Sequence, residues 1–153
     1  MALYTMRKAG GAITPDTGTV TYLSMITAAT RSIRIQEFSH SGLGSASAPN
    51  ELRMAPAPVG TTPGGAVTPS PYNPYATVAA GFTTATTYAT APAINAQAGV
   101  AYGVNSNGGT YRWLAKTNFE LIASAGIASF ATMAWAVVSG TGTLVGHVIV
   151  EEI

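Results

Sequence analysis

Hydrophobic and polar residues alternate with period 2 in several short stretches of the chain, as they do in β-strands that bury one face. In "RSIRIQEF", Ile33 and Ile35 fall on one face, and Arg34 and Gln36 fall on the other. This alternation predicts a half-buried strand at residues 31–38.

The stretch "TYRWLAK" shows the same alternation after a turn at Asn107-Gly108-Gly109. It places Tyr111 and Trp113 on one face and Arg112 on the other. Aromatic residues next to basic ones can also stack on nucleic-acid bases. We favour a strand with its aromatic side chains packed inward, because the net charge of the chain is only +1 and offers no attraction to nucleic acid.

The end of the chain contains two apolar runs, "GIASFATMAWAVV" and "TLVGHVIVEE", separated by "SGTGT". They predict a hairpin of two long strands. In the second run, Val145 and Ile149 fall on one face and Leu144 and Val148 on the other, so neither face is polar. One face of this strand can pack into the core, and another part of the chain or a partner must cover the other face.

The rest of the chain gives weaker patterns. "TVTYLSMITA" predicts a strand, although "YLSMITAATRSI" is also compatible with two turns of helix, and "ATVAAGFTTATTYATAP" predicts one or two short strands. Between them, residues 55–76 hold six prolines and three glycines, which favour a long extended loop. Short strands between Gly and Pro turns predict an all-β, single-domain β-sandwich or jelly roll with a long Pro/Gly-rich loop.

Composition adds that the surface is poor in charge. Charged residues make up 8% of the 153-residue chain and hydrophobic residues 47%, against about 25% charged residues in an ordinary soluble domain. Residues 54–111 carry no Lys, Arg, Asp or Glu. We expect this segment to be a contact surface for a partner. No secretion signal is recognisable after Arg7 and Lys8, which predicts folding in the cytoplasm of the cell that makes the protein.

Catalytic chemistry has few candidates. His40, His147 and Asp16 are the only residues of their types, and no nucleophile motif accompanies them. Glu151 and Glu152 are adjacent, so on a strand they face opposite ways, and we interpret them as a solvated or ion-paired strand end. With two distant histidines and Cys 0, we predict no enzyme activity, no cofactor and no metal site.

The stretch "LIASAGIASFATMAWAVV" spans 18 residues without a charge, which is the length at which a membrane helix is considered. Ala, Ser, Thr and Gly dilute this stretch, and no basic flank follows it. A strand in a sandwich explains it together with the apolar run that follows, so we predict no membrane association and keep a small membrane protein as the weakest alternative.

Four stretches together resemble the small structural proteins of tailed bacteriophages, of the head decoration or cement kind: "RSIRIQEFSHSG", "NELRMAPAPVGTTPGGAVTPSPYNP", "GGTYRWLAK" and "GTGTLVGHVIVEE". The resemblance covers residues 31–153 and lies in the layout of the strands and the loop. It implies a β-sandwich, often a trimer, on the outer surface of the virion capsid, where it binds between subunits of the major capsid protein. Residues 1–30 form either an N-terminal arm or the first strands, and residues 31–153 form the sandwich domain.

The resemblance and the apolar faces together predict a homotrimer. We expect its interfaces with other copies or with the capsid to include Met133, Trp135, Val148, Pro63, Pro69, Tyr72 and Tyr75. The Pro-rich loop is the expected contact element, because prolines reduce the entropy lost on ordering.

The alternative is a ligand-binding or carbohydrate-binding jelly-roll module of the virion, in the tail or receptor-binding apparatus. Its shallow sugar platform would consist of Tyr72, Tyr75, Tyr88 and Tyr102 together with the Asn-rich turn.

Overall fold

The computed structural model describes residues 2–95 and 97–153, which form two antiparallel β-sheets packed face to face. One sheet has six strands, in the order β5 (Ser70–Pro71), β1 (Ala2–Ala12), β11 (Thr143–Glu152), β3 (Ile33–Gly42) and β8 (Thr110–Leu114), with β9 (Leu121–Ala123) also paired to β3. The other has five, in the order β6 (Thr83–Thr87), β2 (Val20–Ile26), β10 (Thr132–Ser139), β4 (Pro49–Ala57) and β7 (Val100–Asn105). A short 3-10 turn lies at Ala128–Phe130.

Eight of these strands have the order of a jelly roll, with β1-β11-β3-β8 facing β2-β10-β4-β7. The predicted all-β sandwich is confirmed. Residues 2–30 supply β1 and β2, and each pairs with strands of one of the two sheets. The predicted strand at 31–38 is β3, and "TVTYLSMITA" forms β2 and no helix.

The predicted hairpin at the end of the chain is wrong. β10 pairs with β2 and β4, whereas β11 pairs with β1 and β3 in the other sheet. The connection between them crosses the sandwich at Gly140, which has a positive φ of 98°. Asn50 anchors this corner, because its Oδ1 accepts a hydrogen bond of 2.8 Å from the Gly142 amide.

The uncharged 18-residue stretch forms β9, the 3-10 turn and β10. Among the residues described, no helix has the length and apolarity needed to cross a membrane.

Large apolar side chains fill the space between the sheets. Met133, Trp135 and Val148 are all fully buried there. A side chain with no exposed surface in the folded monomer cannot contact a second copy, so their assignment to an oligomer interface is wrong. Their neighbours in the core include Tyr4, Met6, Leu23, Met25, Ile33, Ile35, Phe38, Leu52 and Met54.

The outer face of the five-stranded sheet is covered by the chain itself. A row of small residues, Ala85, Ser24, Ala134 and Ala55, crosses the sheet in register, and all four are fully buried. The connection from β6 to β7 lies over this row, with Tyr88 against Ser24 and Gly99 against Ala55. The second apolar face of β10 is therefore covered without an oligomer.

The Pro/Gly-rich segment between β4 and β5, residues 58–69, runs along one side of the sandwich, and we call it the strap. Gly64 exchanges backbone hydrogen bonds with β6, and Val67 packs against the core. The Thr84 hydroxyl bonds both the amide (2.8 Å) and the carbonyl (2.6 Å) of Val67. The strap thus protects the edge of the five-stranded sheet from pairing with other chains.

The strap begins later than the sequence predicts, because residues 55–57 belong to β4. Pro56 is tolerated in this strand since β7 pairs with β4 only as far as Met54, which leaves Pro56 on a free edge where no ladder donor is needed.

Candidate functional site

Six of the thirteen exposed large apolar side chains in the described part of the chain lie at the two opposite edges of the six-stranded sheet. The first group, which we call the tyrosine edge, lies at β5 and the start of β1. It surrounds a cleft of about 370 Å³ lined by Ala2, Leu3, Tyr4, Pro71, Tyr72, Asn73, Ala76 and Val78. Among the described residues, none that lines this cleft is charged.

Local hydrogen bonds fix the backbone in a conformation that leaves the side chains of Tyr72 and Tyr75 at the surface. The Tyr72 amide donates to the Leu3 carbonyl (2.8 Å), which continues the pairing of β5 with β1. Asn73 then turns the chain, because its Oδ1 accepts a bond of 3.0 Å from the Tyr75 amide. As a result the side chains of Tyr72 and Tyr75 are 56% and 91% exposed.

The second group, the phenylalanine edge, lies at β8 and the loop after it. It surrounds a cleft of about 520 Å³ lined by Arg112, Trp113, Leu114, Lys116 and Phe119. Trp113 is held by stacking on Phe38 at 5.2 Å, and Phe119 follows a turn at Asn118, whose φ is +69°. Phe119 is 74% exposed, which is unusual for a large apolar side chain.

Ion pairs occupy the outer face of the sheet between these edges. Arg112 makes a two-point contact with Glu37, at 2.7 and 2.8 Å, and this contact lowers the pKa of Glu37 below its usual value. Arg34 pairs with Glu120 at 3.1 Å and with Glu151 at 3.5 Å. Since most of these charges are paired, the apolar edges dominate the character of this side of the protein.

The predicted strand end at Glu151 and Glu152 is ion-paired. Glu151 faces Arg34 on the outer side, whereas Glu152 pairs with Arg31 at 3.1 Å. The two carboxylates therefore do not form a catalytic pair.

His40 belongs to a polar cluster inside the core. Its Nδ1 lies 2.7 Å from the hydroxyl of Tyr102, and this hydroxyl accepts a hydrogen bond from Trp135 Nε1. Burial lowers the pKa of His40 to about 3, so the imidazole is neutral at physiological pH. His40 is fully buried and cannot meet a substrate; its cluster orients side chains within the core.

His147 and Asp16 lie outside the His40 cluster and apart from each other. His147 is on the outer face of β11, where its Nε2 lies 2.6 Å from the Thr5 hydroxyl. Asp16 lines a cleft of about 390 Å³ at the end of β1, and its Oδ1 accepts a bond of 2.9 Å from the Val137 amide. Among the described residues, no group of three or more His, Cys, Asp or Glu side chains is arranged to hold a metal ion.

Asp16 makes stability depend on pH. Burial raises its pKa to about 6, against the opposing effect of hydrogen bonds from Thr21 and from the Val137 and Tyr22 amides. A raised carboxyl pKa means that the folded state binds the proton more tightly, so this contribution to stability is present below pH 4 and is lost as the pH rises to about 6. We expect Asp16→Asn to stabilise the protein above pH 6, by at most about 3 kcal/mol, and to have little effect at pH 4.

Urea unfolding of the wild type and Asp16→Asn at pH 4 and pH 8 measures this difference. Other titrating groups such as His40 cancel in the comparison. A stability difference that is the same at both pH values would contradict the assignment.

The remaining predicted interface residues are at the surface or near it. Pro63 is exposed on the strap and Pro69 is half-buried just before β5, while Tyr72 and Tyr75 belong to the tyrosine edge. Tyr88 and Tyr102 are buried and cannot contact a sugar at the surface, so their assignment to the sugar platform is wrong.

The sequence pattern does not predict the phenylalanine edge as an interface. Leu114 is an apolar residue on the polar face of β8, and Phe119 is an apolar residue in the loop that follows. These departures from the alternation are the one sequence feature that indicates an exposed apolar edge.

No protein-family model matches the chain, and no curated protein matches it significantly.

Proposed function

We propose that this protein is a non-catalytic structural protein of a bacteriophage virion. It is made in the host cytoplasm and decorates the outer surface of the capsid, where it stabilises contacts between subunits of the major capsid protein. The proposal joins the resemblance over residues 31–153 with one structural observation, namely that exposed aromatic side chains, Tyr72 and Tyr75 at one edge and Phe119 at the other, lie beside clefts at both edges of the six-stranded sheet. Exposed apolar patches on a rigid sandwich are typical of surfaces that bind other proteins.

The strap runs along β6, on the side of the sandwich where β5 and β1 also lie. Its backbone groups at Thr61 and Gly64 are bonded within the chain and are therefore not available to bond a partner. Its exposed side chains, Val59 and Pro63, offer an uncharged apolar surface for the capsid. Attachment through such a surface relies on burial of apolar area, which salt does not screen.

Attachment is therefore expected to survive high salt. Purified protein is mixed with undecorated capsids of the phage that encodes it, and the bound fraction is measured by co-sedimentation in 50 mM and 1 M NaCl. We expect similar binding in both, and at least a tenfold loss for Val59→Asp combined with Pro63→Asp. Val138→Asp is the matched control, because Val138 is 44% exposed, close to the 42% of Val59.

Release of the wild type by 1 M salt would show that its few charges carry the attachment. Absence of binding in both buffers would contradict the decoration function.

A second candidate function, glycan binding by a tail or receptor-binding module, is favoured by the exposed Tyr72, Asn73 and Tyr75 beside the cleft of the tyrosine edge. Binding to bacterial surface polysaccharide that is lost in Tyr72→Ala would favour this function.

A further inference from the structure

We propose that Asn107 is a site of covalent modification, where the asparagine converts without an enzyme into aspartate and isoaspartate. Asn107 and Gly108 lie in the turn between β7 and β8, and both are exposed. The conversion needs an accessible side-chain amide, a following backbone N–H that is free to react, and room for a ring to form. This pair of residues meets all three conditions.

The reaction is a cyclisation followed by hydrolysis. The backbone nitrogen of Gly108 attacks Cγ of Asn107, so that a new N–Cγ bond closes a succinimide ring and the Cγ–Nδ2 bond breaks. Ammonia leaves and takes up the proton that the Gly108 nitrogen loses. Water then opens the ring: attack at Cγ gives aspartate, and attack at the backbone carbonyl carbon of Asn107 gives isoaspartate.

Neither reacting group is engaged in the folded protein. Among the described residues, none bonds the Asn107 side chain, and the Gly108 amide donates no hydrogen bond. A Cβ placed on Gly108 would meet no atom within 4 Å, so the space beside the reacting nitrogen is open. Gly108 itself has no side chain to hinder the attack, and its φ of 146° is in the region that favours glycine.

The flanks of the pair are fixed in place. On one side the Ser106 amide donates to the Ala48 carbonyl (3.0 Å), and on the other the Gly109 carbonyl accepts from the Gly42 amide (3.3 Å). The two reacting residues therefore form a short segment between bonded neighbours, and this segment is exposed while the protein is folded.

Two other asparagines each lack one of the conditions. Asn73 precedes Pro74, so no backbone N–H follows it. Asn105, which ends β7, donates from Nδ2 to the Ser47 hydroxyl (2.8 Å) and accepts from the Ala48 amide at Oδ1 (3.1 Å). Asn105 is therefore an internal control in the same part of the chain.

The conversion changes both charge and backbone. Each event adds one negative charge, which takes the formal net charge of the chain from +1 to zero. Isoaspartate also adds a methylene group to the backbone of the turn. Purified protein is therefore expected to develop more acidic forms during storage.

Incubation of the full chain at pH 8, followed by chymotrypsin digestion and mass spectrometry, tests the proposal. Cleavage after Tyr102 and Tyr111 releases residues 103–111, which contain both Asn105 and Asn107. We expect the amide of Asn107 to be lost at least tenfold faster than that of Asn105. We also expect a much slower loss at pH 5, because the attacking nitrogen must lose its proton. A sample digested without incubation gives the background, and methyl transfer by an isoaspartyl methyltransferase detects isoaspartate.

Asn107→Gln is the matched variant, because its side-chain amide must close a larger ring, and it is expected to keep that amide. A synthetic peptide of residues 103–111 shows that the conditions permit the reaction. If Asn107 of the folded protein kept its amide while the peptide converted, or if another asparagine converted first, the proposal would be overturned.

Discussion

Replacement of Trp135 by alanine is expected to lower the free energy of unfolding by about 3–5 kcal/mol, a large part of the stability of a domain of this size. Trp135 is fully buried in the centre of β10. Its ring lies 4.3 Å from that of His40 and 5.6 Å from that of Phe38. Its removal leaves a cavity and also takes the hydrogen-bond donor away from Tyr102.

The measurement is urea unfolding followed by circular dichroism, with Trp113→Ala as the matched control. Trp113 is half-buried at the sheet edge, so we expect its loss to cost only about 1–2 kcal/mol. An oligomer-interface residue would behave differently, since its loss would dissociate the oligomer and leave the monomer folded. A folded, monomeric Trp135→Ala with unchanged monomer stability would contradict the core position.

Replacement of residues 61–67 by a Gly/Ser segment of equal length is expected to destabilise the protein by roughly 3–5 kcal/mol and to cause aggregation. Glycine loses more conformational entropy on folding than the residues it replaces, and the packing of Val67 against the core is lost as well. The more flexible segment then holds less firmly to the edge of β6, where the Thr87 carbonyl accepts from the Gly64 amide (2.9 Å), and this edge is exposed to pairing with other chains.

Thermal unfolding and light scattering test this expectation. The control is the same kind of replacement at residues 116–118, which are exposed and pair with no strand; its effect on stability is expected to be small. If the strap variant were as stable and as soluble as the control, the strap would be a simple surface linker and its role in covering the edge would be wrong.

The alternation of apolar and polar residues was sufficient to predict the fold class and the central strands. β3 shows it plainly, because one of its faces packs into the core and the other carries Arg34 and Glu37 towards solvent. For β1 the sequence does not distinguish an N-terminal arm from a first strand, because only Tyr4 and Met6 of its eleven residues are deeply buried and glycines follow them.

The partnership of β10 could not be read from the chain. A short Gly-rich connection joins two apolar strands equally well within one sheet or between two, and only the pairing partners of each strand distinguish the two cases. The row of small residues beneath the β6–β7 connection could not be predicted from the sequence for a similar reason. Ala134 and Ala55 look like unremarkable strand residues until the chain is seen to cross over them.

The candidate site was predicted in part. Tyr72 and Tyr75 were identified from the Pro-rich context and do lie at an exposed edge. Leu114 and Phe119 were missed because they lie some 40 residues further along the chain, and only the sheet order places them at the opposite edge of the same surface.

Electron microscopy of capsids decorated with the purified protein tests the central claim most directly. If the protein decorates the head, reconstructions at moderate resolution will show added density on the outer surface, grouped in threes, that is absent from undecorated capsids. If the added density were found only on the tail, or if the capsids gained no density at saturating protein, the proposed function would be contradicted.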